Sequence, residues 1–313
     1  MIHKSTYDSL KLVSYNVWFS EKNWENRARY LLQIVESQKA DIICLQEVTQ
    51  HFLEKVLQAP WIRADYVVTD ARGSTTTPYG VLMIIRSSLK VVQSRLHDLP
   101  TNMGRRFLLC ELEWHSGEKV SVGTVHLESL NNAEIREAQL ARILDITSCA
   151  AHLIVAGDFN FHTTMPENKA LLRAFTDSWA AAPSSGEAGR SRHGTLIDRV
   201  VHRSPAVRVT SARLIGCDPV VPASSDGRRA SAAAASPNAA AAASAIAAAA
   251  AAMTADCAGR ARPDEQYPSD HDGVVVEFAL HRRPALASAG AGMAASGAGM
   301  AAAGGGHDGG GRA

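Results

Sequence analysis

The sequence predicts an α/β protein in which two mixed β-sheets pack face to face with helices outside. Three observations point there. Short apolar runs bounded by polar residues recur along the chain as strand signals. Apolar residues at helical spacing lie between several of them. Residues 65–126 are almost continuous β texture.

Residues 10–17 read as a buried strand that ends near Ser14-Tyr15-Asn16. Trp24, Ala28, Leu31, Leu32 and Val35 then share one helical face. Residues 41–48 are a second buried strand, and residues 49–57 a helix with Phe52, Val56 and Leu57 inward. Runs at 81–85, 91–96, 107–114 and 120–126 predict a meander of largely antiparallel strands, with turn chemistry such as Ser116-Gly117-Glu118 between them. A helix over 132–150, a strand over 153–156 ending at Gly157, and a helix over 166–175 follow. Strands at 196–201, 207–215 and 274–280 close the sheets.

These elements define one catalytic domain over residues 1–282. An Ala/Ser-rich insertion interrupts it at about 223–262, and an Ala/Gly-rich tail follows at 283–313. Neither composition buries enough apolar surface to offset its ordering entropy, so both are expected to be disordered. The net charge of +1 excludes a uniformly basic surface but leaves room for a local basic groove. Five cysteines (Cys44, Cys110, Cys149, Cys217 and Cys257) are odd in number, widely spaced and without a CxxC pair. That disfavours a disulfide framework and a structural zinc site, and points to a reducing intracellular compartment, nucleus or cytoplasm. Residues 1–12 lack the apolar centre of a signal peptide, and no run of large apolar residues is long enough to span a bilayer. The expectation is a monomer without a membrane partner.

Polar clusters sit at the ends of the expected strands: Asn16, then Gln46-Glu47, His126-Leu127-Glu128-Ser129, Asp158 with Asn160, Asp198-Arg199, and Asp270-His271. Strand ends are where rigid scaffolds present catalytic groups to open loops. Taken singly, Asn16 reads as a turn residue, Gly157-Asp158 as turn chemistry and Asp270 as a cap. Taken together, every polar break being Asn, Glu, Asp or His makes coincidence a poor account. Hard oxygen ligands such as Glu47 suit Mg²⁺. Asp158 can orient or deprotonate an attacking water. Asn16, Asn160, His126 and His271 can donate hydrogen bonds to phosphate oxygens. Asp198 suits the fixing of a histidine tautomer or of a neighbouring ligand. There is no HExxH and no GxSxG, which disfavours a zinc protease and a serine hydrolase.

The segments Ser14-Tyr15-Asn16, Leu45-Gln46-Glu47-Val48, Gly157-Asp158-Phe159-Asn160 and Ser269-Asp270-His271 resemble, in order, the signature motifs of the endonuclease/exonuclease/phosphatase superfamily. The resemblance runs from about residue 10 to 280, apart from the alanine insertion. It implies a four-layer α/β sandwich and phosphoester hydrolysis by an activated water with Mg²⁺, for which Mn²⁺ can substitute. It further implies Glu47 as principal metal ligand with Asn16 beside metal and phosphate. Asp158 is then expected to act on the water, Asn160 to position the phosphate, and His271 to stabilise the transition state with Asp270 close by.

Within the superfamily the chain is most similar to the type 2 tyrosyl-DNA phosphodiesterases, which remove 5′-phosphotyrosyl adducts in DNA repair. Met103-Gly104-Arg105-Arg106, His126-Leu127-Glu128-Ser129, Ile197-Asp198-Arg199-Val200 and Tyr267-Pro268-Ser269-Asp270-His271 carry that likeness. It implies phosphate contacts from His126 and Ser129, a basic contribution from Arg105 or Arg106, and single-stranded DNA ends bearing a protein adduct as partner. Arg72, Arg190, Arg192 and His193 are further groove candidates. Three features depart from that subgroup: Asp272-Gly273 replaces an aromatic after the histidine, residues 183–195 lack a tryptophan-bearing segment, and the first strand at residue 10 leads to the expectation of no ubiquitin-binding domain. The alternatives are an abasic-site nuclease, a deadenylase or a phospholipid or inositol-phosphate phosphodiesterase. A catalytically dead binding module is disfavoured, because competent residues fill every signature position.

Overall fold

Twelve strands form two six-stranded sheets in the computed structural model, which describes residues 7–114, 117–183, 196–219 and 267–281. The first sheet contains β1 (Tyr7–Asn16), β2 (Ile42–Val48), β3 (Tyr66–Val68), β4 (Gly80–Arg86), β11 (Val207–Ile215) and β12 (Gly273–His281). Its order is β11-β12-β1-β2-β4-β3. The second contains β5 (Lys90–Asp98), β6 (Arg106–Glu113), β7 (Lys119–His126), β8 (Leu153–Asp158), β9 (Thr176–Asp177) and β10 (Asp198–Arg203), in the order β5-β6-β7-β8-β10-β9. The insertion and tail expected at 223–262 and 283–313 lie outside the described residues.

The described residues also form six helices: α1 (Trp24–Gln38), α2 (Gln50–Gln58), α3 (Pro60–Asp65), α4 (Ala133–Ile146), α5 (Glu167–Ala174) and α6 (Ser178–Ala181). The two sheets repeat one plan. Helix α1 connects the parallel pair β1–β2, and α4 connects the parallel pair β7–β8. Antiparallel strands flank each pair, β12 and β4 in one sheet, β6 and β10 in the other.

Side-chain alternation builds the layers. Leu10 and Leu12 of β1, Ile42 and Cys44 of β2, Val120 and Val122 of β7, and Ile154 and Ala156 of β8 fill the core between the sheets. The opposite rows turn outward. Val13, Tyr15, Ile43 and Leu45 meet Ala28, Leu31 and Val35 of α1 and Phe52 of α2. Val125, Leu153 and Val155 meet Leu140 and Ile143 of α4 and Leu171 of α5. Cys44 and Cys110 are buried and free.

The expected meander over 65–126 is corrected in one respect. β3 and β4 pair within the first sheet, whereas β5 pairs with β6 in the second. The three residues between Arg86 and Lys90 carry the chain across, with Leu89 buried in the middle core. A period of two fixes which face of a strand is buried and does not name the hydrogen-bonding neighbour. Short elements α3, β3, β9 and α6 were not among the expected ones, because two to six residues carry too little periodicity.

Close packing of the second outer layer gives a direct stability test. A Cβ added at Gly123 on β7 would lie 2.3 Å from the Phe107 ring, which is fully buried. Gly123→Ala is therefore expected to lower stability by about 1–3 kcal/mol, through overpacking. Urea unfolding followed by tryptophan fluorescence checks this, and a midpoint equal to wild type refutes it.

Candidate active site

The inward rows of the central strands end in polar residues at one rim of the sandwich. On β1 the row Leu10, Leu12, Ser14 closes with Asn16; on β7 Val120, Val122, Thr124 closes with His126; on β8 Ile154, Ala156 closes with Asp158. Register aligns them: Asn16 lies opposite Gln46, and His126 and Asp198 both lie opposite Asp158. Beneath the rim, Gln46 Nε2 donates to Thr124 Oγ1 at 3.0 Å and to Ser14 Oγ at 3.3 Å, tying one sheet to the other.

Strict alternation would aim Glu47 outward. The β2–β4 ladder is instead irregular between Leu45 and Val48, and Glu47 adopts the left-handed region at φ 59°. That bulge turns its carboxylate into the rim, a local strain of the kind held at functional sites. Gly157 has a related task. At φ 151° a Cβ would lie 1.9 Å from Val125 O, so only glycine lets β8 approach β7 closely before Asp158.

Asn16 is the centre of the cluster. Its Nδ2 donates to Glu47 Oε1 and to Asp158 Oδ2, each at 3.0 Å, and lies 3.4 Å from His271 Nε2. Its Oδ1 accepts from Trp18 N, and Glu47 Oε2 accepts from Phe19 N. His271 Nδ1 is 2.7 Å from Asp198 Oδ2, while its Nε2 is 3.7 Å from Asp158 Oδ2 and 3.9 Å from Asp270 Oδ1. Asn160 is held beside Asp158: its N donates to Asp158 Oδ1 at 2.9 Å and its Nδ2 to Leu127 O at 3.0 Å.

The structure separates the two arginines of the Arg105-Arg106 pair. Buried Arg105 donates through Nη1 to His126 Nδ1 at 2.8 Å. Arg106 bonds Thr75 O instead. Because the guanidinium can only donate, Nδ1 accepts, and the imidazole proton sits on Nε2. That atom is 3.4 Å from Asp158 Oδ2, without hydrogen-bond alignment. Ser129 is buried and donates to Met103 Sδ, on the loop that also carries Arg105. Arg199 faces away, toward Asn168 and Asp177, and Arg72 is exposed. Arg190, Arg192 and His193 lie outside the described residues.

Burial and crowding set the charges. Burial raises Glu47 to about 7, reinforced by Asp270 and opposed by His271. Burial likewise raises Asp198 to about 6 against the pull of His271. Desolvation raises Asp270. His126 is pushed well below the usual imidazole range by burial, then by Arg105 and His271. Burial alone would depress His271 too, but Asp198, Asp158 and Asp270 together hold it well above that range. The two imidazoles are thus biased in opposite directions, His126 toward the neutral form and His271 toward the cation.

Two residues that sequence patterning did not single out frame this rim. Arg27, inside α1, is buried and donates to the carbonyls of Val17, Trp18, Ser20, Lys22 and Pro268. It thus joins the loop after β1 to the segment holding Asp270 and His271. Tyr79 stacks on Phe19 at 4.8 Å between centroids and 5° between planes, with Arg105 5.6 Å from its ring. Tyr79, Met103, Arg105, Arg106 and His126 line a cleft beside the rim.

Two groups of side chains, Glu47–His126–Asp158 and Asp158–Asp198–His271, bring candidate ligand atoms within 4.8 Å of one another. The second is already joined internally by the His271–Asp198 hydrogen bond. The first concentrates carboxylate oxygens around Asn16, and burial resists the negative charge of Glu47. That donor set fits a hard divalent cation.

Fold and rim together define an α/β sandwich that gathers acid, amide and imidazole groups from both sheets. The chain belongs to the endonuclease/exonuclease/phosphatase family, whose match spans residues 13–271. It is 28% identical over 176 residues to tyrosyl-DNA phosphodiesterase 2 of Danio rerio, covering 54% of this chain and 46% of the relative. The chain thus aligns with about half the length of that relative. Among solved structures it resembles D. rerio TDP2 complexed with single-strand DNA product, with a TM-score of 0.61 and 20% identity over 87% of this chain and 99% of that one. The human Nocturnin catalytic domain with bound sulfate is similar, with a TM-score of 0.59 and 19% identity over 88% of this chain and 97% of that one. No helix among the described residues is long and apolar enough to cross a membrane.

Proposed function

We propose that this protein is a Mg²⁺-dependent phosphodiesterase that hydrolyses 5′-phosphotyrosyl bonds at single-stranded DNA ends. The observation that carries the hydrolytic reading is the convergence on Asn16 of Glu47, Asp158 and His271 from both sheets. Glu47 would be the principal ligand of a divalent cation, with Asp158 and Asn16 adjoining, and the cation would supply charge neutralisation at the phosphate. Asp158 holds the attacking water and takes its proton as oxygen bonds to phosphorus. Asn160 keeps the Asp158 carboxylate in place through its backbone N–H. The Nε2–H groups of His126 and His271 donate to phosphate oxygens, with Asp198 fixing the His271 ring. The phosphorus–oxygen bond to tyrosine then breaks, and the phenolate leaves readily because its conjugate acid has a pKa of about 10.

The cleft beside His126 supports nucleic acid as the bound half of the substrate. Its two arginines suit a phosphate backbone, and the Tyr79–Phe19 pair offers a face for a base. Similarity to the zebrafish enzyme favours a tyrosyl adduct among the possible 5′ groups.

The test is a panel of a 5′-phosphotyrosyl oligonucleotide, an abasic duplex, poly(A) RNA and sphingomyelin, each with Mg²⁺ and with EDTA. Tyrosine release from the first is expected to dominate, to need the metal and to weaken as salt rises. If tyrosine stays bound while abasic DNA, RNA or lipid is cleaved, the protein is a hydrolase of the corresponding other class. If nothing is cleaved, the hydrolytic reading itself falls.

A further inference from the structure

We propose that Glu128 is a positioning residue that sets the Arg105–His126 contact by anchoring the loop over residues 100–105. The inference rests on the phosphodiesterase reading of the rim, and adds to it a buried acid that touches none of the groups assigned to phosphate or metal.

Glu128 is fully buried two residues after His126, between β7 and α4. Both its oxygens point at the loop. Oε2 accepts from Thr101 Oγ1 at 2.6 Å, and Oε1 accepts from Asn102 N at 2.9 Å. Thr101 Oγ1 passes the constraint on, accepting from Met103 N and from Arg105 N, each at 3.0 Å. Gln139 of α4 steadies the anchor: its Oε1 accepts from Glu128 N at 2.9 Å, and its Nε2 donates to Pro100 O at 2.9 Å. Ser129 Oγ adds a weaker tie to Met103 Sδ at 3.1 Å. Asn102 and Gly104 are exposed, and Gly104 sits at φ 74°. The loop sends Arg105 into the rim, where its Nη1 reaches His126 Nδ1.

The physical consequence concerns a proton. While Arg105 donates to Nδ1, the His126 proton must sit on Nε2, the atom facing the phosphate site. If the loop drifts by an ångström, Arg105 no longer enforces that tautomer, and the donor toward phosphate is lost for part of the population. Thr101 makes the arrangement sensitive to the anchor's chemistry. Its hydroxyl oxygen already accepts two N–H groups, so its single proton must go to a carboxylate oxygen. A glutamine at 128 offers one acceptor where two are used, and leaves either Thr101 or Asn102 without a partner.

The experiment has two arms. The first follows imidazole ¹⁵N spectra of His126 in wild type, Glu128→Gln and Thr101→Val, with no substrate present. Wild type is expected to show Nδ1 unprotonated and Nε2 protonated, and both variants a mixture. Thr101→Val cuts the same link from the half-exposed loop side, so it decides the matter if Glu128→Gln does not fold. A folded variant with the wild-type spectrum overturns the proposal. The second arm measures kcat/KM on the p-nitrophenyl ester of thymidine 5′-phosphate. Glu128→Gln is expected to lose about tenfold to a hundredfold, as for a modest misplacement of a binding group. Arg105→Ala should lose as much, and the double variant no more than Arg105→Ala alone, because one acts through the other. Losses that multiply would mean that Glu128 acts independently of Arg105, which also overturns the proposal. An inactive wild type would instead refute the phosphodiesterase reading, while the spectra still decide the role of Glu128.

Discussion

Glu47→Ala is expected to lower kcat by at least about a hundredfold, roughly 3 kcal/mol in the barrier, and EDTA should do the same to wild type. The reason lies in the backbone as much as in the carboxylate. The left-handed φ at Glu47 and the bulge after Leu45 bring one acid into a rim that strand alternation would deny it. A neighbouring side chain cannot replace it. Glu47→Gln keeps the size but can accept only one of the two hydrogen bonds from Asn16 and Phe19, so it too should be strongly impaired. A pH signature accompanies the loss. The folded-state pKa of Glu47, about 7, lies above its ordinary value, so the folded protein binds more protons than the unfolded chain between those values. Stability in EDTA therefore falls as pH rises through that window, and Glu47→Ala should flatten the fall. Thermal melts at pH 5 to 8 and single-turnover rates check both statements. Near-normal turnover by Glu47→Ala would remove it from the centre of the mechanism.

The second large effect is expected at His271. Its Nδ1 is committed to Asp198, and three carboxylates hold the ring in its cationic form. In the proposed reaction it would serve as a positioned donor to the growing phosphate charge. His271→Ala should cost about a hundredfold to a thousandfold in kcat while the oligonucleotide still binds, because the contact strengthens mainly in the transition state. Asp198→Asn should cost less, since an amide oxygen can still accept from Nδ1 but no longer supports the cation as well. Single-turnover kinetics with fluorescence anisotropy for binding separates the two. A His271→Ala enzyme that loses affinity and keeps its rate would make this residue a binding group only.

Much of the rim was legible because inward rows end abruptly. A strand that reads apolar at every second position and then presents Asn16, His126 or Asp158 declares both the face and the end of that face. Glu47 was legible as a residue type and not as a direction, since nothing in Leu45-Gln46-Glu47-Val48 announces a bulge. Arg105 and Arg106 could not be told apart for a similar reason. Arg105 ends the loop and Arg106 begins β6, and only the loop anchored by Glu128 decides which one turns inward. Arg27 was invisible because a charged residue in an amphipathic helix ordinarily belongs to its solvated face, and its five carbonyl partners come from loops whose path the sequence does not reveal. The transfer of the chain between sheets at residues 87–89 escaped for want of a signal, because three residues with no proline or glycine look like any tight connection.

The Gln46–Thr124 hydrogen bond and the apolar layer beneath it have a further meaning for the chemistry. Asn16 and Glu47 ride on one sheet, His126, Asp158 and Asp198 on the other, so the reacting geometry is a gauge of how far apart the two sheets lie. Enlarging or shrinking a side chain such as Met83 or Val122 in that layer acts like a shim under half of a vise. In the proposed reaction the jaws would meet a phosphate only at one thickness. On the proposed mechanism, sequence drift in this buried layer would be coupled to turnover from a distance.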